Sequence, residues 1–127
     1  MRIAIASDHA AFDLKAELRD YLIELGHEVA DLGPETADRV DYPDFGYKLA
    51  DVVADGTAEF GVALCGSGIG ISIAVNRHPK LRCALVSEPY SATLARERLA
   101  PTWPKPASTH SWPLNFRTVA TPAALTN

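Results

Sequence analysis

Cys65 opens the stretch "CGSGIG", in which a cysteine is followed by three glycines and a serine within five residues, and the chain holds only one other cysteine, Cys83. Glycines at this density let backbone N–H groups approach a bound oxygen with no Cβ in the way. A strand pattern precedes the stretch and a helix pattern follows it. Cys65 therefore stands at the carboxyl end of a strand, where ligands of open α/β sheets bind, and the start of the next helix favours a thiolate over a thiol. The chemistry that this permits is proton transfer with the Cys65 thiolate as a base near neutral pH, beside N–H groups of Gly66, Ser67, Gly68, Ile69 and Gly70 that can approach a bound oxygen. The plain alternative is packing, because a lone cysteine is ordinarily a small buried hydrophobe. Cys83, inside "LRCALV", is read that way.

Asp8 and His9 form a second cluster, at the end of the first strand pattern. If the first and third strands are neighbours in a parallel sheet, this pair faces the Cys65 loop. Asp8 can then accept hydrogen bonds from substrate hydroxyls, and His9 can contact a hydroxyl or an anion. Asp8 also stands where an N-cap of the first helix is expected, and the two roles are compatible. Other chemistries lack their frames. "GSGIG" misses the G-x-G-x-x-G spacing, the first βα turn "SDHAAFD" has no glycine, no P-loop lysine follows, and Cys65 occupies the first position of any G-x-S-x-G around Ser67. The cysteine and histidine spacings fit no zinc pattern. No metal and no cofactor are expected, and Cys65 and Cys83 are expected as free thiols.

The elements that must position these groups follow a βαβα rhythm. "RIAIASD" reads as a buried parallel strand; from Ala11 to Leu25 the residues Phe12, Leu14, Leu18, Leu22 and Leu25 fall at helical spacing, with Lys15, Glu17, Arg19, Asp20 and Glu24 on the other face and Gly26 closing the helix. "HEVADLG" is the second strand. "YPDFGYKLADVVADGTA" is a helix started at Tyr42, Pro43 and Asp44, with Phe45, Leu49, Val52 and Val53 as its buried stripe; "EFGVALCG" is the third strand. A helix from about Ile69 to Arg77, the strand "LRCALVSE" and a helix beginning "PYSATLARE" complete the pattern. The expected fold is a three-layer α/β/α, Rossmann-like parallel sheet in a single domain.

At 127 residues the chain is one domain in length. A net charge of -4 without a Lys/Arg cluster gives no nucleic-acid footprint, and no apolar run approaches the roughly 18 residues of a membrane span. The start "MRIAIASDHAAFDLK" lacks the features of a signal or transit peptide, so the expected location is the cytoplasm and the expected partner a small molecule.

After Glu97 the composition changes. Residues 98–127 hold five of the nine prolines, both tryptophans and none of the sixteen acidic residues, and no helix period survives there. This stretch is read as a Pro-rich tail, truncated or irregular in structure, beside a domain over residues 1–97. A shifted reading frame from Pro101 onward permits an amphipathic helix followed by a basic G-R-H-x-x-R element, so the tail is read as frameshifted. The alternative is a genuine tail.

"IASDHAAFDLK", "DLGPETADRVDYPDFG" and "GVALCGSGIGISIAVNRHPKLRCALV" together resemble the sugar-phosphate isomerase family that contains type B ribose-5-phosphate isomerase and the galactose-6-phosphate isomerase subunits. The resemblance runs from Met1 to about Glu97. It implies a homodimeric, metal-free aldose-ketose isomerase, with ribose 5-phosphate and ribulose 5-phosphate as the expected pair in the pentose phosphate pathway. It also implies that Cys65 moves a proton between C2 and C1 through an enediol(ate), that Ser67 and the glycine loop hold the oxyanion, that Asp8 and His9 bind the sugar, and that Tyr42 lines the site's edge. Some members use a glutamate later in this loop as base; its place here is Ile71, which leaves Cys65. Members continue with a His-Asn pair that opens the sugar ring and with arginines that grip phosphate in the partner's site, whereas Arg98 stands in the place of that histidine. Two rivals stay open: a non-catalytic sugar-phosphate-binding or regulatory domain, and a nucleotide-binding module of flavodoxin-like shape.

Overall fold

Alternation along one strand sets the layers. In the computed structural model, which describes residues 2–86 and the backbone of residues 118–122, β1 (Arg2–Ser7) is buried from Ile3 onward. Ile3 and Ile5 point to one face of the sheet and pack with Leu18 and Leu22 of α1 (Phe12–Glu24) and with Val62 and Leu64 of β3 (Phe60–Leu64). Ala4 and Ala6 point to the other face, where Leu49 and Val53 of α2 (Tyr42–Ala54) meet Ile71 and Val75 of α3 (Ile69–Asn76). Small residues in β1 let α2 approach closely, and each fully buried Leu or Ile contributes about 1.5–3 kcal/mol. The result is the expected three-layer α/β/α sandwich.

β2 (Glu28–Asp31) pairs with β1, and β1 pairs with β3; both pairings are parallel, with Ile5 beside Asp31 on one side and Val62 on the other. The adjacency of the first and third strands, on which the site depends, is thus met. The sheet order is β2-β1-β3-β5-β4, with β4 at Leu81–Leu85 and β5 at Thr118–Pro122.

β5, residues 118–122 of the tail, adds an antiparallel strand to the expected parallel sheet. It runs antiparallel to β3 through the pairs Gly61 with Ala120 and Val62 with Val119, and antiparallel to β4 from Leu81 with Pro122 to Leu85 with Thr118. "TVAT" is rich in β-branched residues, and Pro122 sits at the strand's end, where a missing N–H costs least. The helix read from "PYSATLARE", together with Glu97, Arg98 and the rest of the tail, lies outside the described residues.

Two further expectations on α1 are corrected. Lys15, read as part of the polar face, is 2% exposed, because its ammonium finds oxygen partners inside the fold. Leu25, read as part of the apolar stripe, lies just past the helix end and is 50% exposed. No helix among the described residues is long and apolar enough to cross a membrane.

Candidate active site

The carboxyl ends of β1 and β3 are tied together at the point where both candidate clusters begin. Asp8 N–H donates to the Leu64 carbonyl at 3.0 Å, so Asp8 lies beside the residue that precedes Cys65. The Asp8 carboxylate accepts from the Ala11 N–H at 3.1 Å and caps the single 3-10 turn His9–Ala11 that leads into α1. One Asp8 oxygen therefore does the N-cap work, and Asp8 Oδ2 makes no hydrogen bond among the described residues. Ala10, in the same turn, lies against the Cα of Gly66: a Cβ there would be 3.7 Å from Ala10 Cβ.

His9 is half-buried and fixed by Val40, whose N–H is 3.2 Å and whose carbonyl is 3.3 Å from Nδ1. The backbone of Val40 can donate to Nδ1 when that nitrogen is bare and accept from it when it carries a proton. The imidazole is thus held in either state, with Nε2 left for another partner.

Cys65 is 5% exposed, and its Sγ accepts the Gly68 N–H at 3.0 Å. That bond requires the loop to turn back at once, and Gly68 supplies the turn with φ +79° as the residue that starts α3. A side chain at such a φ is strained, which is why glycine stands there. Ser67 is exposed, and its hydroxyl oxygen accepts the Ile69 N–H at 3.2 Å; Ile69 is also exposed. Gly70 has a different reason. A Cβ on it would lie 2.7 Å from Tyr42 Cζ, 2.9 Å from Cε2 and 3.1 Å from Cε1, so the Tyr42 ring lies flat over the first turn of α3. Tyr42, at the start of α2, remains 42% exposed.

All nine candidates, Cys65, Ser67, Asp8, His9, Tyr42, Gly66, Gly68, Ile69 and Gly70, therefore belong to three adjoining segments at one end of the sheet. Cys83, in contrast, is on β4 away from this end. Its backbone N–H and carbonyl are both bonded by the Asn76 side-chain amide, at 2.9 and 2.8 Å, and burial pushes its thiol pKa up, as for a packing residue. Both cysteines are free thiols. No group of three metal-ligating side chains occurs among the described residues.

One charged group near the site escaped the sequence reading. Asp31, at the end of β2, receives Lys15 Nζ at 2.8 Å, Arg19 at 2.9 Å and the Gly33 N–H at 2.9 Å. Partial burial raises its pKa, but these bonds outweigh that effect and hold the carboxylate below its ordinary range. A lowered carboxylate pKa gives stability that is present above the unfolded value of about 3.9 and is lost as pH falls through the folded value. Asp31→Asn is therefore expected to flatten the acid limb of the stability profile below about pH 4, where one proton accounts for at most about 1.4 kcal/mol per pH unit. Urea midpoints measured from pH 3 to pH 6 check this; parallel limbs in both proteins would contradict it.

Comparison with known proteins gives a consistent picture. A family model described as Ribose/Galactose Isomerase matches residues 3–100. Ribose-5-phosphate isomerase B of Escherichia coli (strain K12) is 44% identical over 96 residues, covering 76% of this chain and 64% of that protein. Galactose-6-phosphate isomerase subunit LacB of Clostridium acetobutylicum is 42% identical over 99 residues, covering 78% and 57% respectively. Among solved structures, Clostridium thermocellum ribose-5-phosphate isomerase B superposes with a TM-score of 0.76 at 45% identity, covering 77% of this chain and 66% of that one. Ribose-5-phosphate isomerase B from Mycoplasma genitalium, with bound ribulose-5-phosphate, gives 0.72 at 38% identity, covering 76% and 65%. The chain thus spans less than two thirds of the length of the E. coli protein.

Proposed function

Because the chain belongs to the Ribose/Galactose Isomerase family, we propose that it is built to interconvert an aldose and a ketose phosphate, ribose 5-phosphate and ribulose 5-phosphate, as a cytoplasmic homodimer of the pentose phosphate pathway. Cys65 is the base. Its thiolate takes the proton from C2 of the open-chain aldose, the C–H pair becomes the C1–C2 double bond, and the carbonyl pair moves onto O1 to give an enediolate. Transfer of the O2 proton to O1 moves the charge onto O2, and return of the proton from Cys65 to C1 as the C2 carbonyl forms gives the ketose. The Ser67 hydroxyl and the N–H groups of Gly66 and Gly70 stabilise the oxyanion, while the Gly68 N–H holds Cys65 Sγ and the Ile69 N–H holds the Ser67 oxygen, two bonds that fix the loop around it. Asp8 and His9 bind sugar hydroxyls, and Tyr42 closes the edge.

The observation that carries this reading is the Gly68 N–H on Cys65 Sγ, at the start of α3 and beside Asp8. It turns the sulfur toward the loop's donors, where a packed cysteine would need no such partner. The glycine loop also meets the sheet order that such a site requires.

A second reading rests on the tail. The family match stops at residue 100, close to the boundary at Glu97, and Arg98 stands where ring opening needs a histidine. In that reading the chain binds sugar phosphate without turning it over. A frameshifted tail after Glu97 accounts for the same features. The deciding experiment assays ribose 5-phosphate isomerisation by the 127-residue chain beside a chain in which the shifted frame and the His-Asn pair are restored. Activity in the restored chain is the expected result. Saturable binding without turnover in both would establish the binding domain instead, and ATP or FMN binding in place of pentose phosphate would overturn both readings.

A further inference from the structure

Burying an ammonium group costs several kcal/mol unless its protons are met, and Lys15 is 2% exposed. Its Nζ is 2.8 Å from Asp31 Oδ1 and 2.6 Å from the Pro34 carbonyl, and it lies 5.3 Å from the centre of the Phe12 ring. Two oxygens and an aromatic face satisfy the charge. Both oxygens belong to the β2 end and the loop that follows it, which crosses residues 32–41 before α2 begins at Tyr42.

That loop carries no regular structure, yet it supplies the backbone group that holds His9 and leads directly into Tyr42, the first residue of α2, which covers Gly70. A ten-residue connection of this kind needs fixed points to keep one conformation. Its entry is fixed at Gly33, where the N–H donates to Asp31 and the carbonyl accepts the Ser7 N–H at 3.1 Å. Gly33 also abuts Phe45, one turn into α2: a Cβ on Gly33 would lie 3.0 Å from Phe45 Cε1. A continuous path of contacts therefore leads from Lys15 through Asp31, Gly33 and Phe45 to the start of α2.

We infer that Lys15 is a positioning residue: its buried ammonium, clamped between Asp31 and the Pro34 carbonyl, fixes the 32–41 loop so that Val40 orients His9 and Tyr42 lies over Gly70. The inference rests on the proposed roles of His9 and Tyr42 in sugar binding, but the geometry can be read without any sugar.

The test uses the labelled full chain and Lys15→Met, with ribose 5-phosphate as the probe. Nuclear Overhauser contacts across β1 and β3 should persist in the variant, while those from the His9 ring to Val40 and from the Tyr42 ring to Gly70 disappear. The Kd for ribose 5-phosphate should weaken about tenfold, the scale of one lost hydrogen bond. A merely structural role would change the midpoint of unfolding and leave both ring contacts in place, and that result overturns the inference. If Lys15→Met does not fold, Asp31→Asn decides: its amide oxygen still accepts from Gly33 but no longer pairs a charge with Lys15, and ring contacts of unchanged intensity overturn the inference equally. If the parent chain binds no ribose 5-phosphate, the functional proposal fails, and the two ring contacts alone judge Lys15.

Discussion

Cys65→Ala is expected to lower kcat/KM for ribose 5-phosphate by about 10²- to 10⁴-fold in the chain with its restored C-terminal segment, the range that a lone general base supplies. The substitution removes one sulfur from a site that is 5% exposed, so folding should survive it and the Kd for the sugar phosphate should change little. The loss should fall on kcat. Cys65→Ser separates the base from the packing atom. A serine oxygen can still accept the Gly68 N–H that Sγ accepts at 3.0 Å, so the loop keeps its turn, but a hydroxyl is a far weaker source of base near neutral pH. Serine is therefore expected to lose nearly as much rate as alanine. Retention of most of the rate by either variant would remove Cys65 from the mechanism and leave the glycine loop as a binding element only.

Local patterns carried much of this fold. Helical spacing located α1, α2 and α3 within a few residues, and apolar runs located β1, β3 and β4. The Asp8 cap was legible because capping depends on residues three apart. What the sequence concealed depends on contacts between distant segments. Lys15 looks like one more charge on a polar helix face, since nothing within α1 shows that Asp31 and Pro34 will meet it from 16 and 19 residues away. β5 was concealed for a related reason: proline density argued against order, while the strand depends on two partners, β3 and β4, that the tail itself does not reveal. The candidate site lay between these cases. Its residue types are visible in "SDH" and "CGSGIG", and their adjacency follows from β1 and β3 being neighbours in the sheet. The reason for each glycine was not visible: Gly68 answers to a backbone angle, Gly70 to an aromatic ring from another helix.

That difference between the two glycines makes a sharp expectation. Gly70→Ala places a methyl group within 3.1 Å of three atoms of the Tyr42 ring, closer than carbon atoms pack, and the ring is the member that can move. The ring must swing outward or the first turn of α2 must shift. Overpacking of this kind costs about 1–3 kcal/mol, and because Tyr42 borders the proposed sugar site, KM should rise with it. The effect should reverse when the ring is gone. In a Tyr42→Ala background the three ring atoms nearest to the added methyl group are gone, and alanine is favoured over glycine in a helix by up to about 1 kcal/mol. The double-mutant cycle is therefore expected to give a coupling energy of opposite sign to the single-site helix preference, readable as a lowered urea midpoint in one background and a raised midpoint in the other. Equal effects of Gly70→Ala in both backgrounds would mean that Tyr42 does not rest on Gly70 in solution, and would take with it the placement of Tyr42 at the edge of the site.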